Sequence, residues 1–396
     1  MKLPRVFGFI LGLILFVSLT ACDDDPASLG VDLLPGSDFL NLVHADSRQL
    51  NLPQNVSVFT DSISTGSSSR ILLGKFENLE AWMLIKFNFV LPDSITNALK
   101  NGEITILNSW IELQPNYILG DSVFNNFTFE VRRINARWNP NTFTADSLIT
   151  LDYDNTNLAR NFSYSDTTIR FDFSNDVVSG WLKRQVDDTQ PDDNGILFVP
   201  LTGNMVLGFQ ALTFKPEDPQ PVLKIVLEKQ GEFTDTISAT PTSDLHVIKG
   251  NQPQSIPGSF ILQDGLPLRA KYRIDLSTLP QNSAVNKARL TFFINKEATV
   301  QGSVPSDSLE LYIYSDSLKN SVERRYGRVV LKRQADAYSG DVTSFIQRWL
   351  NGLDNQGMRI NLTDEARALS KIVLYSPSAA DTDKKPLLEI DYLIKK

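Results

Sequence analysis

Short stretches that alternate apolar and polar residues recur along most of the chain, bounded by Gly, Pro, Asn and Asp. A period of two is that of β-strands with one face buried, and long runs with the 3.6-residue period of helices are missing. The same order of elements occurs twice. In the first half WMLIKFNFVLPDSI (82–95) precedes NSWIELQPN (108–116), and in the second RAKYRIDLSTLPQNSAV (269–285) precedes KARLTFFINK (287–296). Each pair reads as strand, Leu-Pro turn, strand. FEVRRI (129–134) then matches LELYIYS (309–315), and DVVSGWLKRQ (176–185) matches DVTSFIQRWLNG (341–352), the one short helix predicted in each half. Asp176 and Asp341 suit N-caps, where a carboxylate accepts orphan amide hydrogen bonds and meets the positive end of the helix dipole. The halves close alike: GILFVPL (195–201) with GMRINL (357–362), ALTFKP (211–216) with KIVLYSP (371–377), PVLKIVL (221–227) with PLLEIDYL (386–393). The repeat predicts an all-β protein of two antiparallel sandwich domains, 46–230 and 231–396, with the divide near Gly231.

The N-terminus breaks this pattern. Lys2 and Arg5 precede residues 6–19, which are apolar or small and carry no charge. A basic start followed by so short an apolar core predicts a signal peptide, because a membrane span needs about twenty residues; a transmembrane anchor is the competing reading. Residues 19–22, Leu-Thr-Ala-Cys, resemble the bacterial lipobox, which implies that 1–21 are removed and that the Cys22 sulfur carries a lipid. Cys22 is the only cysteine, and with its thiol consumed by lipidation no disulfide framework, thiolate nucleophile or cysteine metal site is available. Two or three acyl chains anchor stably where one binds only marginally. Residues 22–45 are then an acidic tether and linker, in which Asp23, Asp24 and Asp25 form a solvated, self-repelling start.

Charge narrows the partners. The formal net charge is −8, and loss of 1–21 removes Lys2 and Arg5 and no acid, giving −10. Such a chain repels nucleic acid and anionic lipid surfaces, and no basic cluster is expected to offset this. Catalysis finds little support: His44 and His246 are the only histidines, placed in separate loop-like regions, so no metal triad or nucleophile-base pair is evident. No Gly-rich phosphate loop or Gly-x-Ser-x-Gly elbow occurs. A glycosidase needs only two carboxylates, but nothing singles out a pair.

Three sets of residues are candidate sites. Asp-Ser or Asp-Thr followed by an apolar residue or Thr occurs eight times, with hydroxyls at Ser62, Ser94, Ser122, Ser147, Thr167, Thr236, Ser308 and Ser317, against about two expected from random placement. Turn capping by Asp and Ser is one account of the excess. Acidic clusters, Asp187, Asp188, Asp192 and Asp193 or Asp381 and Asp383, offer hard oxygen ligands to calcium, though without the spacing of a known calcium loop; solvated faces are the plainer reading. Among the tryptophans, Trp82, Trp110, Trp181 and Trp349 sit in apolar stretches and are expected in the core. Trp138, in NARWNPNTF (135–143), lies in an Asn/Pro loop and is either a packed loop anchor or a platform for a sugar ring.

The succession of strand, Leu-Pro turn, Ala-x-Leu strand, Trp-bearing helix, Gly-opened strand and a final Pro-led strand resembles the DNRLRE and disaggregatase-related jelly-roll modules. Some of these are carbohydrate-binding modules of extracellular polysaccharide-degrading proteins. The second half carries the pattern best, ending in KKPLLEIDYLIKK (384–396). CDDDPASLGVDLLPGSDF (22–39) and TDSISTGSSSRILLGKF (60–76) resemble the start of an uncharacterised Bacteroidota lipoprotein family with a domain of unknown function. These resemblances imply two jelly-roll-like β-sandwiches, each with one short helix, displayed on the outer membrane facing the cell exterior. They also imply Asp23, Asp24 and Asp25 as a surface-export signal. The eight Asp-Ser and Asp-Thr sites resemble the Bacteroidota O-glycosylation sequon, which implies bulky sugars on those hydroxyls. The expected function is non-catalytic binding of extracellular glycan or a surface partner. An accessory subunit holding an outer-membrane protein is the alternative, and a polysaccharide-cleaving enzyme the second.

Overall fold

The structure, a computed structural model, describes residues 40–212, 219–281 and 283–395. The signal peptide, Cys22 and Asp23, Asp24 and Asp25 lie outside the described residues. The described residues are antiparallel β throughout, with four short α-helices among them: α1 (Asp93–Lys100), α2 (Ala145–Ile149), α3 (Asn175–Arg184) and α4 (Thr343–Leu350). Three fall in the first domain, where one was expected. No helix among the described residues is long and apolar enough to cross a membrane.

The first domain packs two sheets face to face. One runs Pro115–Gly120, Met205–Gln210, Arg70–Phe76, Leu79–Asn88, with Ile196–Thr202 and Thr128–Arg133 continuing beside it; the other holds Val222–Lys229, Ile104–Leu113, Ile169–Asp172 and Arg160–Tyr164. Phe233–Lys249 belongs to both, pairing first with Val222–Lys229 and then with Leu79–Asn88. Its register shifts between Pro241 and Ser243, where proline has no amide to give a ladder. Alternating residues of both sheets fill the space between, Met83, Ile85, Ile111, Phe171, Phe198 and Leu223 among them. Phe129 and Phe171 meet edge to face at 5.5 Å, the arrangement ring quadrupoles favour.

The second domain is built around Leu268–Ile274, Met358–Leu362 and Ser308–Asp316 on one side and Ala284–Phe293 and Leu387–Lys395 on the other. Two strands of this domain come from the start of the described chain. Leu40–Asp46 pairs with Leu387–Lys395, and Gln54–Thr60 pairs with Leu268–Ile274. The expected linker over 40–45 and the first domain's start at 46 are therefore corrected, because 40–60 close edges of the second sandwich that would otherwise expose unpaired backbone; the rest of the expected tether, 22–39, lies outside the described residues. The divide near Gly231 is corrected too. Gly231, at φ 77, turns the chain into one further hairpin strand of the first domain, so the second begins near Gly250.

The repeat is visible in the helices: α3 packs on Ile104–Leu113 and α4 on Ala284–Phe293, corresponding strands of the two halves. Trp181 and Trp349 are buried there, against Phe173 and Phe345. Asp341 is not the N-cap of α4: it lies one residue before Val342, which holds that position, and accepts a hydrogen bond from the Thr343 amide at 2.8 Å. Asp176 instead lies inside the first turn of α3, behind Ser174 at the N-cap.

The domains share a core. Leu72, Leu79, Tyr117 and Val206 of the first pack with Ala368 and Leu369 of the second. The Ser303 amide donates to the Ile118 carbonyl at 2.7 Å, and the Leu369 amide to the Tyr117 hydroxyl at 3.1 Å. Gly302 permits the approach, since a Cβ there would stand 2.4 Å from the Tyr117 ring.

Candidate functional site

The outer face of Leu79–Asn88 and Ile196–Thr202 is apolar at Leu84, Leu197 and Val199, and the segment 135–153 folds over it through Phe143, Leu148 and Trp138. Trp138 is half-buried. Its Nε1 donates to the Asn194 carbonyl at 2.7 Å and its ring meets Phe143 edge-on at 6.4 Å. Thus the ring is anchored, yet it forms the wall between two open clefts. The first, about 270 Å³, is lined by Lys86, Arg137, Asp192, Asp193 and Asn194. The second, about 450 Å³, is lined by Asn139, Thr142, Phe143 and Thr150.

Charges around the first cleft are largely paired. Arg137 binds Asp192 through Nε at 3.0 Å, and Arg184 reaches the other oxygen at 3.1 Å. The Arg137 hydrogen bond and charge hold the Asp192 carboxyl below the usual carboxylate range. Asp193 differs: it is buried, the Gly195 amide donates to it at 2.8 Å, and burial pushes its pKa up to about 6.

The acidic clusters face bases and amides. Asp187 accepts from Thr189 and Gln190, which lower its pKa to about 2, and Asp188 meets Arg184 at 3.1 Å. Asp381 caps the Asp383 amide at 2.9 Å, and Asp383 faces Arg48. Among the described residues no three metal-ligating side chains converge.

The other expectations meet mixed outcomes. Trp181 and Trp349 lie in the core, but Trp82 and Trp110 do not: both stand half-buried on outer strand faces, under Lys249 at 4.6 Å and Arg170 at 4.3 Å. Strand alternation decides this, since Ala81 and Ile111 beside them take the inward positions. His44 and His246 are in strands, not loops. His44 pairs with Asp391 across the ladder, while His246 is fully buried with neither ring nitrogen bonded, and burial lowers its pKa to about 3. Of the eight hydroxyls, Ser62, Ser94, Ser122, Thr167 and Thr236 are exposed and Ser147 and Ser317 half-buried. Ser308 is corrected: it is buried against Thr363, 2.7 Å away, with no room for a sugar.

One feature escaped the sequence. The outward positions of Leu268–Ile274 and Met358–Leu362 are Arg269, Lys271, Arg273 and Arg359, so pairing of the strands assembles a basic face on an acidic chain. The signal was the period-two spacing of Arg269, Lys271 and Arg273.

The fold defines a two-domain antiparallel β-protein with open clefts at loop rims. No family model and no curated protein matches the chain. Among solved structures it is similar to the C-terminal domain of the BspA AgI/II polypeptide of Streptococcus agalactiae, at 8% identity over 86% of this chain and 90% of that one, with a TM-score of 0.19. A second chain, BspA_C_WT, gives 9% identity over 82% and 90%, again at 0.19. Overlays this loose carry no argument about function.

Proposed function

We propose that this is a non-catalytic, lipid-anchored cell-surface protein that binds extracellular glycan, with the Trp138 loop as a contact site. One observation carries the reading: an aromatic ring fixed at its edge by Asn194 and Phe143 stands between two open clefts whose rims hold paired donors and acceptors. An aromatic face suits the apolar face of a pyranose ring, and polar rims suit its hydroxyls. Lipidation at Cys22, with Asp23, Asp24 and Asp25 as export signal, would display both domains outside the outer membrane.

A glycan array probed with the chain lacking residues 1–22 is the test. A saturable polysaccharide ligand is expected, with affinity falling at least tenfold in Trp138→Ala while circular dichroism shows the variant still folded at the assay temperature. Silence across plant, algal and microbial glycans overturns the reading. Protease treatment of intact cells checks location, and protection until lysis would contradict surface display.

A further inference from the structure

Asp264 lies in the turn 264–267 of the second domain, and that turn faces the first. Gly265 stands so close to Ile248 that a Cβ would come within 3.1 Å of its Cγ1, and Leu266 packs on the core that the domains share. Two loops flank the Asp264 carboxyl, and both carry hydrogen bonds between the domains. In the first, the Ser306 hydroxyl donates to Asp264 Oδ2 at 3.3 Å, while Gly302 and Ser303 meet Tyr117 and Ile118. In the second, the Ser370 and Glu365 carbonyls accept from the Asp264 and Gly265 amides at 3.0 and 2.9 Å. The same loop reaches across the boundary: the Leu369 amide donates to Tyr117 at 3.1 Å, the Ala366 carbonyl accepts from Ser68 Oγ at 2.7 Å, and the Arg367 carbonyl accepts from Arg70 at 2.9 Å.

The site suits a neutral carboxyl and not an anion. Asp264 is fully buried, and Oδ1 has no hydrogen-bond partner among the described residues. Ser306 is a single uncharged donor at long range. A buried carboxylate is costly unless donors or a cation meet both oxygens, whereas the protonated form brings a donor of its own. Burial and the charges of Asp364 and Glu365 push its pKa well up, against the pull of Ser306 and the Ser370 amide. The surrounding cations are occupied: Arg269 binds Glu365 at 2.7 Å and Asp61, Arg367 binds Asp364, Arg70 donates to Asn116 at 2.8 Å, and Arg333 donates to Gln301 at 2.6 Å. Tyr117 of the first domain and Tyr338 of Ala337–Asp341 complete the surround. Burial and the Asp264 charge raise both hydroxyls, with Asp307 adding to Tyr338, so they stay neutral.

We propose that Asp264 is a proton-operated latch for the docking of the two domains. With the proton in place, the carboxyl sits neutral between the loops 302–306 and 364–370, and both stay seated on the first domain. Loss of the proton puts an unpaired negative charge beside Asp364 and Glu365 at the boundary, and lifting the loops lets water reach it. The sign is fixed by where the proton goes. In the opened state the carboxyl titrates near its ordinary value of about 3.9, so docking retains a proton that opening releases. Docking is therefore firmest below about pH 4 and weakens as pH rises, until the docked carboxyl itself ionises. Over that interval the opening equilibrium grows about tenfold per pH unit, because one proton leaves per opening.

Hydrogen exchange of the chain lacking residues 1–22 tests this, read by mass spectrometry from about pH 5 to 8 and corrected for the intrinsic pH dependence of amide exchange. Opening of peptides covering 302–306 and 364–370 should rise about tenfold or more between about pH 5 and 7, while the core strand 309–313 stays protected. Asp264→Asn should abolish the rise, and Asp193→Asn, at a buried acid of the Trp138 cleft, should leave it. Asp364→Asn removes a repelling charge and should bring the levelling-off to lower pH, a readout that stands if Asp264→Asn does not fold. The proposal is overturned if the two loops show no rise, or if 309–313 opens with them, because the second domain then loosens as a whole. It is overturned equally if Asp264→Asn, or Asp364→Asn where the first variant does not fold, responds to pH as the wild type does.

Discussion

Replacing Asp193 with Asn should change how stability responds to pH while leaving the first cleft's shape intact. The carboxyl is 6% exposed and accepts the Gly195 amide at 2.8 Å, a bond that the Asn carbonyl can also accept. Burial, opposed by that amide and by Lys86 and Arg133, raises its pKa from 3.8 to about 6. A folded-state pKa above the unfolded value means that the folded protein keeps a proton the unfolded chain has released. The contribution is whole below about pH 4 and is lost as pH rises through about 6. A shift of about two pH units is worth about 3 kcal/mol. Asn has no such titration, so the stability of Asp193→Asn relative to wild type should rise by about 3 kcal/mol between about pH 3.5 and 7.5. Urea unfolding followed by tryptophan fluorescence reads this out, because Trp82, Trp110, Trp138 and Trp181 are in the first domain and only Trp349 is in the second. Other carboxylates affect both proteins equally and cancel in the difference. A wild-type-to-variant difference constant within about 0.5 kcal/mol, the scatter of a surface substitution, would refute the assignment of a buried, proton-retaining Asp193.

Gly302→Ala should weaken the docking of the domains by about 1–3 kcal/mol, the cost of overpacking a tight contact, because its Cβ would stand 2.4 Å from the Tyr117 ring; calorimetry should show the thermal transition splitting in two. A chain starting at Asp61 should keep only the unfolding enthalpy of the first domain, since Leu40–Asp46 and Gln54–Thr60 are strands of the second; the full enthalpy of the intact chain would contradict the pairing. Mass spectrometry of the protein from its native host should find O-linked sugars among Ser62, Ser94, Ser122, Thr167 and Thr236 and none at buried Ser308.

Local alternation made the β-class legible, and the doubled order of elements made two domains legible, because strand period and turn residues act within a few positions of each other. Boundaries were not legible for the same reason. LNLVHAD and QNVSVFT read as strands wherever they go; that they close a domain whose other strands begin some two hundred residues later is decided by which edges are left open. Phe233–Lys249 was hidden because the repeat has no counterpart for it: PVLKIVL and PLLEIDYL match as closing strands, and the first half then adds one hairpin more. Side-chain facing misled at Trp82 and Trp110, since an apolar neighbourhood in sequence mixes both faces of a strand, and the Lys249 and Arg170 caps come from other strands.

The basic face shows the same limit from the functional side. Arg269, Lys271 and Arg273 point outward because Ala270, Tyr272 and Ile274 must point inward, so burying the core and presenting the charge are one choice of register. A slip of one residue would bury three cations and expose the aromatic core, which makes this register costly to lose. Yet Arg273 or Lys271 alone is an ordinary solvated charge. What makes them a face is Arg359 arriving beside Lys271 from almost ninety residues along the chain. Net charge is a property of the whole chain, whereas attraction of an anion depends on the sign of the nearest unpaired groups, so an acidic protein can carry an anion site where its acids are already taken. Here Glu310, Glu365 and Asp61 are taken by Arg328 and Arg269, and Lys271 is held by the Ser317 carbonyl, so the acids and bases of this face largely satisfy one another.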